Sequence, residues 1–222
     1  MVSTMKLEYK FLEDAVHNRE IDLIITELNR YNISKVSVLS QYSKIFKKKL
    51  AENIKLSSII DFPYGASDAS TRIQMLENSI KIGVDSVELI LPFHLLSNSM
   101  FTAIKKDVEL CFTICKKNKI DISYVLEYRT FNYSVLYRVC KLLLKQNINH
   151  IYISTGYKID DIYDHLIAMT MIQKNVPEIN ITCNANIFTE KHISILNNSD
   201  INTFSVNSIP SLEMAHKFVS NL

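Results

Sequence analysis

Short runs of apolar residues alternate along the chain with longer segments in which apolar positions recur every three or four residues. The short runs have the length of buried β-strands, and the longer segments have the periodicity of amphipathic α-helices. The predicted strands are residues 5–12, 35–39, 56–60, 86–91, 122–127, 150–153, 179–183 and 203–206. The predicted helices are residues 15–31, 42–53, 68–82, 100–118, 132–146, 160–175, 190–197 and 210–219.

Two of the predicted helices carry clear end signals. Ser67 or Asp68 can cap the start of the third helix, and Gly83 can take the left-handed position after its end. Ser208 is a candidate cap for the last helix, which has Pro210 in its first turn. These signals support the alternation that the apolar pattern indicates.

The alternation of strand and helix predicts a parallel sheet with crossover helices. An open, doubly wound sheet would also satisfy the number of units. Regular units without a dinucleotide-binding glycine loop favour the closed form, a (β/α)8 TIM barrel of the α/β class. No linker, low-complexity tract or change in composition divides the sequence, so we expect residues 1–222 to form one domain.

Composition narrows the classes of function. A net charge of +2 does not suggest binding to nucleic acid. The apolar runs are short, and the run at 87–93 is interrupted by Glu88, whereas a membrane helix needs about 20 apolar residues. The first ten residues lack the apolar segment of a secretory signal. We therefore expect a soluble, cytoplasmic protein that binds neither nucleic acid nor membranes.

The cysteines and histidines do not predict a metal site. Cys111 and Cys115 could share one helix face, but no further Cys or His lies nearby at the spacing of a zinc site. These residues, with Cys140 and Cys183, are expected to be reduced and buried. The six histidines show no metal-binding spacing. No metal and no other cofactor is expected.

Polar residues stand at the ends of many predicted strands, where a barrel strand is usually apolar. In a TIM barrel the carboxyl ends of the strands and the loops after them carry the active site. Each residue could belong to such a site or make a structural hydrogen bond, and the two interpretations are about equally supported. The residues are Glu8, Lys10, Asp61, Glu88, Glu127, Ser154, Thr155, Gly156, Thr182, Asn184 and Ser205.

Four of these strand ends resemble segments of deoxyribose-phosphate aldolase, in the same order along nearly the whole chain. Residues 60–66, IDFPYGA, are similar to that family's GFPxGA segment after strand three. Residues 83–89, GVDSVEL, resemble its G-A-D-E-[IV]-D-[VM] segment at strand four. Residues 125–127, VLE, and 151–157, IYISTGY, resemble its I-L-E and V-K-T-S-T-G-F segments on strands five and six.

The resemblance implies a barrel related to a class I aldolase, which splits 2-deoxyribose 5-phosphate into acetaldehyde and glyceraldehyde 3-phosphate. The family's Schiff-base lysine on strand six is Tyr152 here, and its strand-seven lysine is Thr182. Neither a phenol nor a hydroxyl forms an imine, so we expect the Schiff-base chemistry to be lost. Glu88 keeps the carboxylate of strand four. Where carboxylates converge without a lysine, one is expected to stay protonated.

The phosphate site that the resemblance implies is also altered. The family presents backbone N–H groups to phosphate from glycine-rich turns after strands seven and eight, whereas the whole chain here has 3 glycines. Anion binding would then depend on the side chains present at these turns. The candidate ligand-binding residues are Thr155, Gly156, Asn184, Asn186, Ser205 and Ser208.

Lys10 is a departure that could restore an amine. Residues 7–12, LEYKFL, align with the family's I-D-H-T-L-L on strand one, and the two-residue period points Lys10 into the barrel beside Glu8. Lys10 could be a relocated nucleophile. We favour an ion pair that replaces the lost lysine–aspartate network, because carboxylates hold a lysine in its charged form.

Three functions follow. We favour a binding or interaction pseudoenzyme, with a small phosphorylated or carbonyl ligand. The alternative is an active lyase of altered mechanism that uses Lys10, or Glu88 with Tyr152 as an acid/base pair. The third is an assembly subunit, with an exposed apolar patch around Phe101, Phe112 or Phe131. A homodimer or another protein partner would fit the first and third.

Overall fold

A computed structural model describes residues 5–158, 161–199 and 201–220. The strands in these ranges are β1 (Lys6–Phe11), β2 (Lys35–Leu39), β3 (Lys55–Ile60), β4 (Ser86–Ile90), β5 (Asp121–Val125), β6 (His150–Tyr152), β7 (Asn180–Thr182) and β8 (Thr203–Val206). The helices are α1 (Asn18–Leu28), α2 (Ser43–Lys49), α3 (Ala69–Ile82), α4 (Phe93–Ser97), α5 (Phe101–Lys117), α6 (Tyr133–Lys145), α7 (Ile162–Asn175), α8 (Glu190–Asn197) and α9 (Ile209–Ser220). A single 3₁₀ turn, Ser40–Tyr42, precedes α2.

The strands form one parallel sheet that closes on itself. Their order is β7-β6-β5-β4-β3-β2-β1-β8. Between β7 and β8, the N–H of Cys183 donates to the carbonyl of Thr203 at 3.1 Å, and the N–H of Ser205 donates to the carbonyl of Cys183 at 2.8 Å. The sheet is therefore the predicted (β/α)8 barrel, and an open doubly wound sheet is excluded.

All eight predicted strands and all eight predicted helices have a counterpart, but several boundaries differ. The first helix begins at Asn18 instead of residue 15, because the ring of His17 accepts a hydrogen bond from Arg19 N–H and caps its start. The five-residue helix α4 was not predicted, since it is too short to show a helical period. The predicted start of the sixth helix, Asp160, lies outside the described residues.

The predicted caps of α3 and α9 are present. The carboxylate of Asp68 accepts a hydrogen bond from Thr71 N–H, and Gly83 has a left-handed backbone with φ of 86°. The hydroxyl of Ser208 accepts from Ser211 N–H at 3.3 Å. Local sequence therefore fixes where these helices begin and end.

The main core lies between the sheet and the surrounding helices. Outward-facing strand residues such as Val36, Val38 and Leu56 are almost fully buried there. All four cysteines are buried and free, and Cys111 and Cys115 lie in this core on α5. Inward-facing positions carry a different set of residues, several of them polar or charged.

A buried arginine ties the layers together near the carboxyl end of the barrel. Arg72 on α3 is 1% exposed. It donates at 2.7 Å to Oδ2 of Asp61, the residue directly after β3. It also contacts Asp107 on α5 at 3.2 Å and donates to the carbonyl of Ile90 at 2.9 Å. Asp61 at this strand end is therefore engaged in a structural ion pair.

The apolar patch predicted around three phenylalanines is not found. Phe101 is buried, with the guanidinium of Arg138 3.6 Å from its ring centroid, and Phe112 and Phe131 are partly buried against the core. Spacing alone did not show that Phe101 and Phe112 face inward on α5 or that Phe131 lies in the loop before α6. In the part of the chain that is described, no helix is long and apolar enough to cross a membrane.

Candidate functional site

Five side chains from four strands form a buried charge network inside the barrel: Glu8, Lys10, Lys35, Glu88 and Tyr152. The Nζ of Lys10 lies 2.8 Å from Glu88 Oε2. The Nζ of Lys35 lies 3.2 Å from Glu8 Oε2 and 3.5 Å from Glu88 Oε1. The Tyr152 hydroxyl accepts from Lys35 and donates to Glu8 at 2.9 Å. The network contains two ammonium groups and two carboxylates.

Strand periodicity and sheet register bring these residues together. Glu8 and Lys10 are two apart on β1 and both point into the barrel, as predicted. Glu8 pairs in register with Lys35, the first residue of β2. The Lys10 ammonium also lies 3.6 Å from the centroid of the Tyr152 ring, where the π-face stabilises a cation. Tyr152 therefore holds both lysines, one by its hydroxyl and one by its ring.

The electrostatics of the network follow from its balanced charges. Burial alone would raise the pKa of Glu88, but the ammonium groups of Lys10 and Lys35 outweigh it and lower the pKa to about 2. Burial would lower the pKa of Lys35, yet Glu8 and Glu88 together raise it. Burial lowers the pKa of Lys10 despite its contact with Glu88. The expectation of a protonated carboxylate is wrong at Glu88.

Tyr152 is held in its neutral form. Burial, followed by the charges of Glu88 and Glu8, raises its pKa well above the ordinary value of 10.0. Its hydroxyl is a hydrogen-bond donor to one carboxylate and an acceptor from one ammonium. The geometry suits a structural bridge, since a general base would need the phenolate form near neutral pH.

An apolar layer separates the charge network from the carboxyl-terminal mouth of the barrel. Its members are Leu39, Ile59, Ile90 and Val125, each no more than 5% exposed. Ile90 follows Glu88 by two residues on β4, so its side chain lies on the same face and one layer nearer the carboxyl end. Glu8, Lys10 and Glu88, which the sequence analysis assigned to strand ends, therefore lie below this layer and do not reach the mouth.

Aromatic rings form a cover above the apolar layer. Tyr157 makes edge-to-face contacts with Phe62 and Tyr64, with ring centroids 6.0 and 5.6 Å apart. Tyr64 contacts Phe93 at 5.8 Å, and Phe93 contacts Phe131 at 5.2 Å. We call these five rings the aromatic cover. They come from the loops after β3, β4, β5 and β6, which is where the active site of a TIM barrel is built.

The carboxyl-terminal mouth has a cavity of about 570 Å³ between the loops after β1, β2 and β3. Leu39 and Ile59 of the apolar layer contribute to its wall, as do Phe62, Tyr64 and Tyr157 of the aromatic cover. Of the described residues, no member of the charge network lines this cavity. A ligand here would contact mainly loop residues and apolar side chains.

The glycines of the two best-preserved motifs have steric functions at this mouth. Gly65 has φ of 60°, and a Cβ there would lie 2.5 Å from the carbonyl oxygen of Leu91. Gly156 has φ of 75°, and its Cβ would lie 2.9 Å from a methyl carbon of Leu12. At Gly65 the left-handed backbone and a fixed backbone oxygen together require glycine, whereas at Gly156 the left-handed backbone favours glycine and the Leu12 methyl group can shift.

The predicted ligand residues on the turn after β6 are already engaged. Glu127 Oε2 accepts from the N–H of Thr155 at 3.2 Å and from its hydroxyl at 2.8 Å. The N–H of Gly156 donates to the hydroxyl of Ser154 at 3.1 Å. These bonds fix the turn, and a direct role of Thr155 or Gly156 in ligand binding stays a prediction.

The predicted anion-binding residues after β7 and β8 also have internal partners. The amide of Asn184 donates to the carbonyl of Ser154, and Asn186 accepts from Asn207 at 3.0 Å. Ser208 caps α9. The structure does not gather these side chains around one point, and their role as ligands stays a prediction.

Thr182 and Ser205, the remaining predicted residues, lie inside the barrel on β7 and β8. The hydroxyl of Thr182 is 2.8 Å from His150 Nε2, and Ser205 is buried and pairs in register with Glu8. Both therefore lie beside the charge network. Of the described residues, no group of three or more Cys, His, Asp or Glu is placed to hold a metal ion.

Sequence reasoning missed Lys35 and His150. Lys35 is the first residue of β2, where a lysine usually extends into solvent, and His150 holds the same position on β6. The two-residue alternation of side chains along a strand does predict that Lys35 shares a face with Ser37 and Leu39. That face could be identified as the inner one only from the register with Glu8.

Comparison with known proteins agrees with this architecture. No family model matches the chain. A deoxyribose-phosphate aldolase of Mycoplasmopsis pulmonis (strain UAB CTIP) is 22% identical over 152 residues, 68% of each chain. Deoxyribose-phosphate aldolase 2 of Staphylococcus aureus (strain MRSA252) is 23% identical over 158 residues, 71% of each chain.

Solved structures extend the likeness to the whole fold. The aldolase QR15 superposes with a TM-score of 0.81 at 14% identity, over 99% of this chain and 96% of that one. The deoxyribose phosphate aldolase of Aeropyrum pernix, described as tetrameric, superposes with a TM-score of 0.79 at 13% identity, over 100% and 92%. The chain is therefore similar in sequence to deoxyribose-phosphate aldolases over about two thirds of its length, and it shares their barrel fold.

Proposed function

We propose that this barrel has lost Schiff-base aldolase activity and acts by binding a ligand or a protein partner. The observation that carries the proposal is the state of Tyr152, at the position where the resemblance places the imine-forming lysine. Its side chain is fully buried and its hydroxyl bridges Glu8 and Lys35. A phenol cannot form an imine, and the space that a substrate carbonyl would need is filled.

The access route supports the same proposal. The apolar layer and the aromatic cover lie between the charge network and the carboxyl-terminal mouth. A polar sugar phosphate would have to displace this apolar layer to reach Glu88. The pKa values do not favour an acid/base pair either, since Lys10 and Lys35 outweigh burial to lower the pKa of Glu88 to about 2, whereas burial raises that of Tyr152.

One observation favours the alternative, an aldolase of altered mechanism that uses Lys10. Burial lowers the pKa of Lys10, and imine formation requires a neutral amine. Against this, the ammonium donates to Glu88 at 2.8 Å and lies over the Tyr152 ring. Both contacts stabilise the charged form, so we assign Lys10 to an ion pair.

Borohydride trapping separates these functions. The protein is incubated with acetaldehyde or 2-deoxyribose 5-phosphate, reduced, and analysed by intact mass and peptide mapping. We expect no one-to-one adduct at Lys10 while circular dichroism shows the barrel folded. A stoichiometric adduct at Lys10 that disappears in Lys10→Arg would overturn the proposal. Lys35, in the same network, is the internal control for nonspecific modification.

An oligomer and a cytoplasmic location also belong to this proposal. The Aeropyrum pernix neighbour is described as tetrameric, and that supports testing for self-association here. The four free, buried cysteines suit a reducing compartment. Sedimentation velocity over a range of protein concentrations tests assembly: a single monomer species at all of them would count against it.

A further inference from the structure

The amino-terminal mouth of the barrel contains a cavity of about 930 Å³, opposite to the usual active-site face. It is surrounded by the first residues of six strands and the loops that precede them. Its lining includes five lysines, Lys6, Lys35, Lys55, Lys116 and Lys119, and the buried Ser86. The volume falls within the upper part of the range for small-molecule sites.

The cavity has an excess of positive charge. Its lining contains five lysines and two carboxylates. Lys35 pairs with Glu8, and Lys55 lies 3.4 Å from Asp121. The remaining three, Lys6, Lys116 and Lys119, have no carboxylate within ion-pair distance among the described residues. The mouth therefore attracts an anion.

A buried hydroxyl supplies the second, independent observation. Ser86, the first residue of β4, is 8% exposed and lines the cavity. Its Oγ is buried and has no hydrogen-bond partner among the described residues. A buried polar atom without a partner costs free energy, so a partner supplied by a ligand would stabilise the protein.

We propose that the amino-terminal mouth binds a small organic molecule that carries a phosphate group. Lysine ammonium groups bind phosphate as point charges, and the Ser86 hydroxyl can donate to a phosphate oxygen. Phe112, Ile120 and Ile122 form an apolar part of the wall that suits the organic portion. The inference goes beyond the proposed function, because the mouth can bind such a molecule whether or not the barrel retains lyase activity.

Phosphate binding is tested by calorimetric titration of the full chain with phenyl phosphate, inorganic phosphate and phenol. We expect saturable binding of phenyl phosphate, weaker binding of inorganic phosphate and none of phenol. In Lys116→Ala/Lys119→Ala, the affinity for phenyl phosphate is expected to fall about tenfold or more. Ser86→Ala should lower it several-fold without loss of the fold, since it deletes a hydroxyl that has no described partner.

The matched control is Lys106→Ala/Lys117→Ala, which removes the same charge from exposed positions of α5 that do not line the cavity. Its affinity should equal that of the unaltered protein. Equal losses in both double variants would indicate a general charge effect and overturn the site. So would an absence of saturation at millimolar phenyl phosphate, or much tighter binding of a single-stranded oligonucleotide through the same lysines.

Failure of this proposal is distinguishable from failure of the proposed function. Trapping at Lys10 reports on imine chemistry, whereas the titration reports on surface lysines at the mouth. An adduct with normal phenyl phosphate binding would overturn only the loss of aldolase activity. No adduct and no phosphate binding would overturn only the amino-terminal site.

Discussion

The two mouths of this barrel differ in polarity, and each has the opposite character to that expected for its face of a TIM barrel. The carboxyl-terminal mouth is covered by aromatic rings above an apolar layer. The amino-terminal mouth is polar and basic, and Glu8 and Lys35 of the charge network line its cavity. In TIM barrels the first is the catalytic face and the second is the stability face. Of the charged groups in the network, Glu8 and Lys35 are the two that face the second.

The comparison teaches that a preserved motif can report on packing instead of chemistry. Gly65 and Gly156 both have a left-handed backbone that favours glycine, and at Gly65 a Cβ would also collide with the backbone of Leu91. Tyr152, two residues before Ser154 in one of these motifs, stands where the resemblance places the reactive amine. Under the proposed function, loop geometry and catalysis are separable on the same strand end.

The largest effect is expected from breaking the charge network. Glu88→Leu leaves Lys10 buried next to an apolar residue, and removal of one partner of a buried ion pair typically costs about 3–5 kcal/mol. Lys10→Met should cost a similar amount. In the double variant both charges are gone, so much of the lost free energy of unfolding should return. Urea unfolding of the four proteins gives the coupling free energy.

Additive losses in that cycle would contradict a paired network. Lys35 also affects the coupling free energy of this cycle, because its Nζ lies 3.5 Å from the other Glu88 oxygen. If Lys35 and Lys10 share Glu88, the double variant recovers less than the full loss. A third variant, Lys217→Met, breaks an exposed ion pair and should leave the free energy of unfolding nearly unchanged.

Gly65→Ala at the carboxyl-terminal mouth should cost about 3 kcal/mol or more. It adds the penalty of a left-handed alanine, about 1–2 kcal/mol, to a contact of 2.5 Å with a backbone oxygen. Gly83→Ala is the matched control: φ is 86°, but the nearest atom to its Cβ is a lysine side-chain carbon 3.7 Å away. If Gly65→Ala and Gly83→Ala lose comparable free energy of unfolding, the contact with the Leu91 carbonyl oxygen contributes little to the loss.

As pH falls, the stability contributed by His150 at the amino-terminal mouth should be lost before the stability contributed by Glu88 in the charge network. Burial and the Lys35 ammonium lower the pKa of His150 from 6.5 to about 4, so the unfolded chain binds the proton first. Stability is therefore lost as pH falls from 6.5 to 4. The lowered pKa of Glu88, about 2, contributes stability above 4.5 that is lost between 4.5 and 2.

His150→Gln isolates the first of these two windows. The variant should flatten the dependence of unfolding free energy on pH between 6.5 and 4, by about 1–2 kcal/mol for this half-buried ring. Denaturant midpoints at intervals of pH measure the effect. An unchanged slope in the variant would mean that His150 keeps an ordinary pKa and is well hydrated at this mouth.

The fold could be predicted from the sequence more completely than the candidate site. The barrel followed from the repeated strand and helix pattern, since each unit has to bury one apolar face. The inward direction of Lys10 followed from its spacing to Glu8. Lys35 did not, because a lysine that begins a strand looks the same whether it enters the barrel or solvent. Register with Glu8 decides that, and register is a property of the closed sheet.

The sequence also could not show which mouth of the barrel the charge network faces. Leu39, Ile59, Ile90 and Val125 look like ordinary strand residues, and only barrel closure places all four in one layer. The sequence indicated that several strands carry polar residues. It could not show that an apolar layer would lie between them and the mouth.

The smallest effect concerns the aromatic cover. Tyr64 and Tyr157 are 42% and 57% exposed, with ring centroids 5.6 Å apart, and such a pair contributes about 0.5–1.5 kcal/mol. A double-mutant cycle of Tyr64→Ala and Tyr157→Ala should give a coupling near the lower end of that range. The partly buried pair Tyr133 and Tyr137, 6.0 Å apart and stacked on α6, is a suitable reference cycle outside the aromatic cover. No coupling between Tyr64 and Tyr157 would mean that the two rings move independently and do not act together as a cover.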